Sequence, residues 1–138
     1  MLARRLTYLL GRTAGAAGRR ANEKMAALGI DTRHYAVMVA IADGDGPSQQ
    51  DVADALGIDR ATLVALADDL EAKRLILRAR SDQDRRAYAL RLTSDGAALM
   101  TEADTLMEQC EQDFTGVLTP AERAQLAELL ARLLTAAP

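Results

Sequence analysis

The spacing of hydrophobic positions predicts long helices at both ends of the chain. Over residues 2–25 apolar residues recur at three- and four-residue steps, which is typical of a helix with one apolar stripe. After Thr93 the helical period returns, and apolar positions from Leu99 through Cys110 to Val117 share one face of a second helix. That stripe is long for a small domain, so part of it should face something other than the chain's own core.

The last segment begins with a strong helix-start signal. Thr119 is a good capping residue, Pro120 suits the first helical position, and Glu122 can reach back to the cap. The helix that follows is rich in Leu on a broad face. The terminal helices therefore carry more apolar surface than one small core would cover, which indicates packing against a second subunit.

The middle of the chain reads as two short helices joined by a tight turn. Ser48, followed three residues later by Asp51, is close to a capping box, and Asp59 caps a second helix. Gly57 between them can take the positive φ that such a turn needs. Upstream, Asp31 caps a segment whose run 37–41 also fits a strand by periodicity. Its capped start favours a short buried helix.

Beyond Leu75 the period changes to that of a strand. Tyr88, Leu90 and Leu92 alternate with smaller or polar residues, which predicts a half-buried strand, and residues 76–80 are its natural partner. The predicted fold class is mainly α with a small two-stranded β-wing, a winged helix-turn-helix with N- and C-terminal dimerisation helices. We expect a single domain over residues 1–138, with 1–30 and 94–138 as dimerisation helices and 31–93 as the winged helix-turn-helix.

Charge and cysteine content narrow the function. The net charge is −3 and the pI about 5.2, so any nucleic-acid-binding surface must be local. A single cysteine, Cys110, excludes an intramolecular disulfide, and with the single histidine it cannot form a His/Cys metal cage. No cofactor or metal site is expected. The apolar run near the N-terminus is cut short by Arg12, so we expect neither a signal peptide nor a membrane helix. We therefore expect a cytoplasmic protein.

Candidate DNA contacts follow from the helix-turn-helix. The second helix of such a motif lies in the major groove with its N-terminal residues nearest the base edges. Those residues are Asp59, Arg60, Ala61, Thr62, Leu63 and Ala65. Arg60 is the best candidate for bidentate pairing with guanine, and Ala61 or Ala65 can touch a thymine methyl. The start of the first helix, at Ser48, Gln49 and Gln50, favours a phosphate through its free N–H groups.

The predicted wing carries further candidates. Arg85 and Arg86 lie at its tip, where Asp82 and Asp84 can brace them for entry into a narrow minor groove. Arg78 and Arg80 share one face of the hairpin and can meet the DNA backbone. For an isolated pair of arginines a merely solvated hairpin is the better reading, but the adjacent helix-turn-helix favours DNA contact.

These residues together resemble the MarR family, the multiple antibiotic resistance regulators of bacteria. The resemblance covers nearly the whole chain and is carried by the helix-turn-helix block SQQDVADALGIDRATLVALADDLE and by the wing LILRARSDQDRRAYALRLT. It implies a homodimer that binds a pseudo-palindromic operator and represses transcription until a small aromatic or phenolic acid binds. Members often have basic residues at Ala65 and Asp69 and a Gly at Arg74. Arg74 therefore puts a positive-φ turn there in doubt, unless its charge is used on a phosphate.

The resemblance also places an effector pocket near the first two helices and the long helix after the wing. Its polar and aromatic candidates are Arg5, Tyr8, Arg12, His34, Tyr35 and Met38. An arginine there can bind a carboxylate and a Tyr or His a phenolic hydroxyl. The alternative without a ligand is that His34 and Tyr35 only form hydrogen bonds with backbone groups near a helix start and that the arginines form a solvated face.

Three competing functions remain open at this point. A redox-responsive regulator would use Cys110, but its position on an apolar stripe among acidic neighbours favours a buried structural thiol. A winged helix that only docks another protein is opposed by the wing arginines. An enzyme would need carboxylate pairs such as Asp68 with Asp69 or Asp82 with Asp84, which lie on a helix or an open hairpin that does not shield chemistry.

Overall fold

Six α-helices and a two-stranded antiparallel sheet make up the part of the chain that the computed structural model describes, residues 2–81 and 88–137. In chain order these are a 3-10 turn Leu2–Arg4, α1 Leu6–Ala26, α2 Thr32–Asp43, α3 Gln49–Leu56, α4 Arg60–Ala72, β1 Ile76–Arg80, β2 Tyr88–Leu92, α5 Ser94–Thr115 and α6 Pro120–Ala136. The mainly helical fold with a two-stranded wing confirms the predicted fold class. None of the described helices is long and apolar enough to cross a membrane.

Side-chain caps begin the helices from α2 to α6. The side chains of five residues accept hydrogen bonds from backbone N–H groups of the first helical turn: Asp31, Ser48, Asp59, Thr93 and Thr119. At Ser48 and Thr119 the predicted reciprocal bonds from the third helical residue are also present. The segment that periodicity left open between helix and strand is α2, as its capped start predicts. These starts are local features, so the sequence locates them well.

The helix-turn-helix is built around close packing of α3 on α4. Gly57 ends α3 with φ +64°, the left-handed conformation that the turn needs. Ala53 of α3 and Leu63 of α4 are both 0% exposed, and both belong to the shared hydrophobic core. Leu70 on the same face of α4 is also fully buried and extends the contact toward the wing.

The wing pairs β1 with β2 in the register Ile76↔Leu92 to Arg80↔Tyr88. The predicted strict alternation of burial along β2 is wrong, because Ala89 and Leu90 are both buried while Tyr88 is exposed. The reason is a third segment: the Leu90 N–H donates to the carbonyl of Pro47 over 2.8 Å, so the loop before α3 runs along the edge of β2, and a Cβ at Gly46 of this loop would lie 3.4 Å from the Cβ of Ala89.

The wing and the long helix α5 meet at a close backbone contact. A Cβ at position 96 would overlap the carbonyl of Leu75, so only Gly96 lets the first turn of α5 approach the start of β1. The Thr93 N–H donates to that same carbonyl over 3.0 Å. The hydrophobic core continues past this contact to Ala103 of α5 and Met25 of α1. The winged helix thus shares one core with α1 and α5.

The outer ends of α1, α5 and α6 depart from this packing. The first helix begins at Leu6 rather than Leu2, and its leucines are exposed in the single chain. The predicted stripe on α5 holds at Cys110, which is buried, but not at Val117, which lies beyond the helix and is 92% exposed. No described residue of α6 is buried.

Candidate nucleic-acid interface

The N-terminal turn of α4 presents a small exposed surface. Arg60, Ala61 and Ala65 are exposed, as a helix that reads base edges requires. Leu63 is 0% exposed and belongs to the core, so the prediction that it contacts DNA is wrong. Leu63 begins the apolar stripe that continues through Leu66, Ala67 and Leu70, and this stripe faces the core.

Asp59 and Thr62 hold this turn in place by bonding to each other. The Thr62 N–H donates to Asp59 Oδ1 over 2.8 Å, and the Thr62 hydroxyl donates to Oδ2 over 2.6 Å. The side-chain bond, and to a smaller extent the backbone bond, lowers the pKa of Asp59 below its ordinary value. The hydroxyl proton of Thr62 is thereby used within the turn, and an acceptor lone pair is what the residue can offer DNA.

The start of α3, the other predicted contact region of the motif, is strongly capped. Asp51 Oδ2 accepts from the Ser48 N–H over 2.9 Å and from its hydroxyl over 2.8 Å. The backbone bond, followed by the side-chain bond, lowers the pKa of Asp51. The side-chain amide of Gln50 donates to Asp54 over 2.8 Å. Ser48 and Gln50, two of the side chains predicted to meet a phosphate, thus have partners within α3, and its first N–H groups provide a site for an anion.

Arg78 joins the wing to both helices of the motif. Its guanidinium donates to Gln49 Oε1 of α3 over 2.9 and 3.1 Å, to Asp68 of α4 over 2.7 Å and to Glu71 of α4 over 3.0 Å. Burial acts to lower the pKa of Arg78, but the bonds to Asp68 and Glu71 outweigh it and the pKa is raised. With the side chain 22% exposed, this internal role replaces the predicted contact of Arg78 with the DNA backbone.

The turn between α4 and β1 is left-handed, although the presence of Arg74 instead of glycine argued against such a turn. Arg74 adopts φ +60°, so the left-handed turn exists although the residue is not glycine. The Thr93 hydroxyl donates to the carbonyl of Arg74 over 2.7 Å and supports this conformation. The side chain is exposed, as is that of Arg80 on β1. The predicted wing-tip residues Asp82, Asp84, Arg85 and Arg86 lie outside the described residues.

The predicted effector residues do not form one site within the chain. Met38 is 0% exposed in the core, which corrects its assignment as a ligand contact. The imidazole of His34 accepts from the Asp31 N–H over 3.2 Å, as the alternative reading of a capping role expects. Arg5 is the residue before α1, Tyr8 and Arg12 lie on the first half of α1, and none of the three lines the groove described next.

An open groove of about 670 Å³ lies between α2 and α3. Tyr35 is the predicted residue that lines it, together with Val39, Leu56 and several alanines, and Asp43 and Asp51 are its charged lining residues. The Tyr35 hydroxyl donates to Asp104 of α5 over 2.6 Å. Burial first, and then this bond, raise the pKa of Tyr35 to about 12, so the phenol stays protonated. The groove is a mainly apolar site with a flat aromatic wall, suited to a small ring.

Sequence reasoning missed the partners that these residues find across the fold. The network around Arg78, the bond from Tyr35 to Asp104 and the α3 wall of the groove join residues far apart in the chain, and no local pattern marks them.

No group of three or more His, Cys, Asp or Glu side chains in residues 2–81 and 88–137 is arranged to hold a metal ion.

Comparison with known proteins agrees with this architecture. The model of the MarR family matches residues 28–87. A regulatory protein for the hcr operon of Thauera aromatica, described as a transcriptional regulator, is 36% identical over 105 residues, which cover 76% of this chain and 63% of that protein. The chain thus spans less than two thirds of the length of that relative.

Two solved structures match over nearly the full chain. The transcriptional repressor CouR, known from Rhodococcus jostii RHA1, bound to a 23-mer DNA duplex is 30% identical with a TM-score of 0.89, over 96% of this chain and 94% of CouR. BpsR of Bordetella bronchiseptica, whose DNA binding is regulated by 6-hydroxynicotinic acid, is 29% identical with a TM-score of 0.87, over 99% and 96% of the two chains. With a shared winged helix, wing and long terminal helices, and with matched relatives that are transcriptional regulators and not enzymes, this chain belongs to the MarR family.

Proposed function

We propose that this protein is a sequence-specific DNA-binding transcriptional regulator that acts as a homodimer in the cytoplasm. The observation that carries the proposal is the capped N-terminal turn of α4, whose Arg60, Ala61 and Ala65 are exposed. The turn is held rigid by its own cap and by a packed core, which suits direct reading of base edges. CouR, bound to DNA in its own structure, supports this use of the fold.

The proposed DNA contacts are of two kinds, those to base edges and those to the sugar-phosphate backbone. Arg60 pairs with a guanine, and Ala61 and Ala65 meet apolar base edges in the major groove. The first N–H groups of α3 and the side chain of Arg74 bind phosphates and set the orientation. Arg85 and Arg86 enter the adjacent minor groove, in line with the sequence prediction. Few basic groups lie on α4 itself, so the specific contact of Arg60 carries much of the base discrimination.

Dimerisation is proposed from a surface of exposed leucines, here called the leucine surface. It comprises residues of the start of α1 and of α6 that line a groove of about 800 Å³: Leu6, Leu10, Leu126, Leu129, Leu130 and Leu133. Contiguous exposed apolar surface of this kind marks a protein interface. A second copy covers it symmetrically and presents two copies of α4 to an inverted repeat with half-sites about one helical turn apart.

Repression released by a small aromatic molecule completes the proposal. The ring would lie in the groove between α2 and α3, against Tyr35. The family resemblance implies a small aromatic or phenolic acid, and the regulation of BpsR by 6-hydroxynicotinic acid supports one. A carboxylate, however, meets Asp43 and Asp51 and no basic side chain among the described lining residues. A candidate acid and its methyl ester should therefore be compared as ligands.

The test is selection of bound duplexes from random-sequence DNA by the purified protein. We expect an inverted repeat, bound at least about 1,000-fold more tightly than a mixed-sequence duplex of equal length, with affinity that falls steeply as salt rises. Arg60→Ala should relax the preference at one position of each half-site. Absence of any sequence preference at moderate salt would overturn the proposal and favour the alternative of a winged helix that only docks another protein.

A further inference from the structure

His34 occupies an unusual position between the cap of α2 and the recognition helix α4. Its Nδ1 accepts from the Asp31 N–H over 3.2 Å, and its Nε2 lies 2.8 Å from Asp69 Oδ2. Nδ1 also lies 3.0 Å from Asp31 Oδ1, so each ring nitrogen faces a carboxylate oxygen. One side chain thus completes the start of α2 and holds a carboxylate of α4.

The surroundings of the contact between His34 and Asp69 make it a defined link rather than a mobile surface pair. The side chain of His34 is only 12% exposed. Asp69 is also 3.6 Å from Lys73 Nζ, and Asp31 is held by Arg33 over 2.9 Å. The imidazole is therefore faced by two carboxylates that each have a cationic partner. This environment fixes the ring and limits the alternative rotamers that would release Asp69.

The link also accounts for the acidic residue at a position where the resemblance leads one to expect a basic side chain. Asp69 lies in the second half of α4, away from the N-terminal turn that faces DNA. Its carboxylate is occupied by His34 and Lys73. The residue serves the attachment of α4 to α2 and not its contact with DNA.

The next residue attaches the same turn of α2 to a different helix. The Tyr35 hydroxyl donates to Asp104 of α5, and its ring lines the groove between α2 and α3. Two successive residues thus connect the first turn of α2 to the recognition helix on one side and to the long helix α5 on the other. Any displacement of this turn moves both contacts together.

We propose that His34 is a positioning residue for DNA reading: through Asp69 it holds α4 at the angle and rotation at which Arg60 meets its base. This inference rests on the proposed DNA-binding function. It assigns to the pair a role in specific recognition beyond general stability, because an error in helix orientation is felt at base edges more than at phosphates.

The test compares two variants that remove the same charge. Asp69→Asn keeps an oxygen that accepts from His34, whereas Asp69→Ala does not. We expect Asp69→Ala to bind the selected inverted repeat about 5-fold or more weaker than Asp69→Asn, with equal affinity of the two for a mixed-sequence duplex. Equal operator affinities of the two variants would overturn the proposal, since charge alone would then explain the effect.

A second arm uses His34→Gln, in which the amide oxygen can keep the bond to the Asp31 N–H. In that background, Asp69→Ala and Asp69→Asn should bind the operator within about 2-fold of each other, because the link is already broken. A difference of 5-fold or more that persists in the His34→Gln background would contradict the assignment of His34.

A third arm reads the position of α4 without DNA. Backbone amide NMR shifts of residues 60–65 should move in Asp69→Ala and stay close to wild type in Asp69→Asn, with both variants folded by circular dichroism. Unmoved shifts in Asp69→Ala would overturn the inference. Lack of operator preference in the wild-type protein would instead overturn the proposed function, and the NMR comparison separates the two failures.

Discussion

The winged helix and α6 place the same residue type in opposite environments. Leu63, Leu70 and Leu90 in the winged helix are 0% exposed, whereas Leu133 and Leu134 of α6 are 57% and 79% exposed. Those three leucines of the winged helix are enclosed by elements of their own chain, and those two of α6 are not. The comparison indicates that the winged helix is stabilised by contacts within one chain. The exposed leucines of α6, in contrast, are available to pack against a second copy of the chain.

The sharpest way to break this comparison is to truncate one leucine from each region. Leu63→Ala should lower the free energy of unfolding by about 2–5 kcal/mol, because it leaves a cavity between α3 and α4. The matched control Leu133→Ala should cost less than about 1 kcal/mol in dilute solution, where its side chain is largely exposed. Urea unfolding followed by circular dichroism measures both. Similar losses at the lowest protein concentration would refute the distinction.

A charge in the leucine surface tests the other half of the comparison. Leu130→Asp should weaken dimerisation by about 2 kcal/mol or more, because an unpaired carboxylate would be buried at the centre of an apolar interface. Analytical ultracentrifugation gives the dimer dissociation constant. Glu128→Gln, on the same helix but outside the leucine surface, serves as control and should leave it unchanged. A Leu130→Asp protein that remains dimeric would place the interface elsewhere.

Two arginines of the winged helix are expected to have different roles, one in folding stability and the other in base recognition. Arg78→Met should lower the free energy of unfolding by about 1–3 kcal/mol, because Asp68, Glu71 and Gln49 lose a partially buried donor. Arg60→Met should leave stability within about 0.5 kcal/mol and cost about 1–3 kcal/mol of operator affinity. Thermal unfolding and DNA titration are the measurements. A stable Arg78→Met protein would show that the wing needs no such anchor.

The smallest expected effect is a pH dependence at Tyr35. Burial and the bond to Asp104 raise its pKa to about 12, above the ordinary value of 10.0. The folded state thus binds the phenolic proton more tightly, so its contribution is complete below pH 10 and is lost as the pH rises toward 12. After allowance for solvent screening, the effect is on the order of 1 kcal/mol. The stability difference between wild type and Tyr35→Phe should shrink over that window; a constant difference would contradict the raised pKa.

How far the sequence predicts the site depends on the range of each interaction. The caps at Ser48, Asp59 and Thr119 use partners three residues away, and all are present as predicted. Leu63 shows the limit of a positional rule: residues at the start of a recognition helix include one that faces the core. The role of Arg78 was missed because its partner Gln49 is 29 residues away, and neither residue type implies the other.

The sequence by itself determined the helix starts, the left-handed turn at Gly57, the pairing of the wing strands and the excess of leucine on the terminal helices. Each depends on the conformational preferences of a residue or on the periodicity of a short segment. Only the tertiary structure decided which charges meet, as with Asp69 at His34 and Glu71 at Arg78, and which leucines remain uncovered. Those outcomes require the relative placement of whole helices, which long-range packing sets and no local pattern contains.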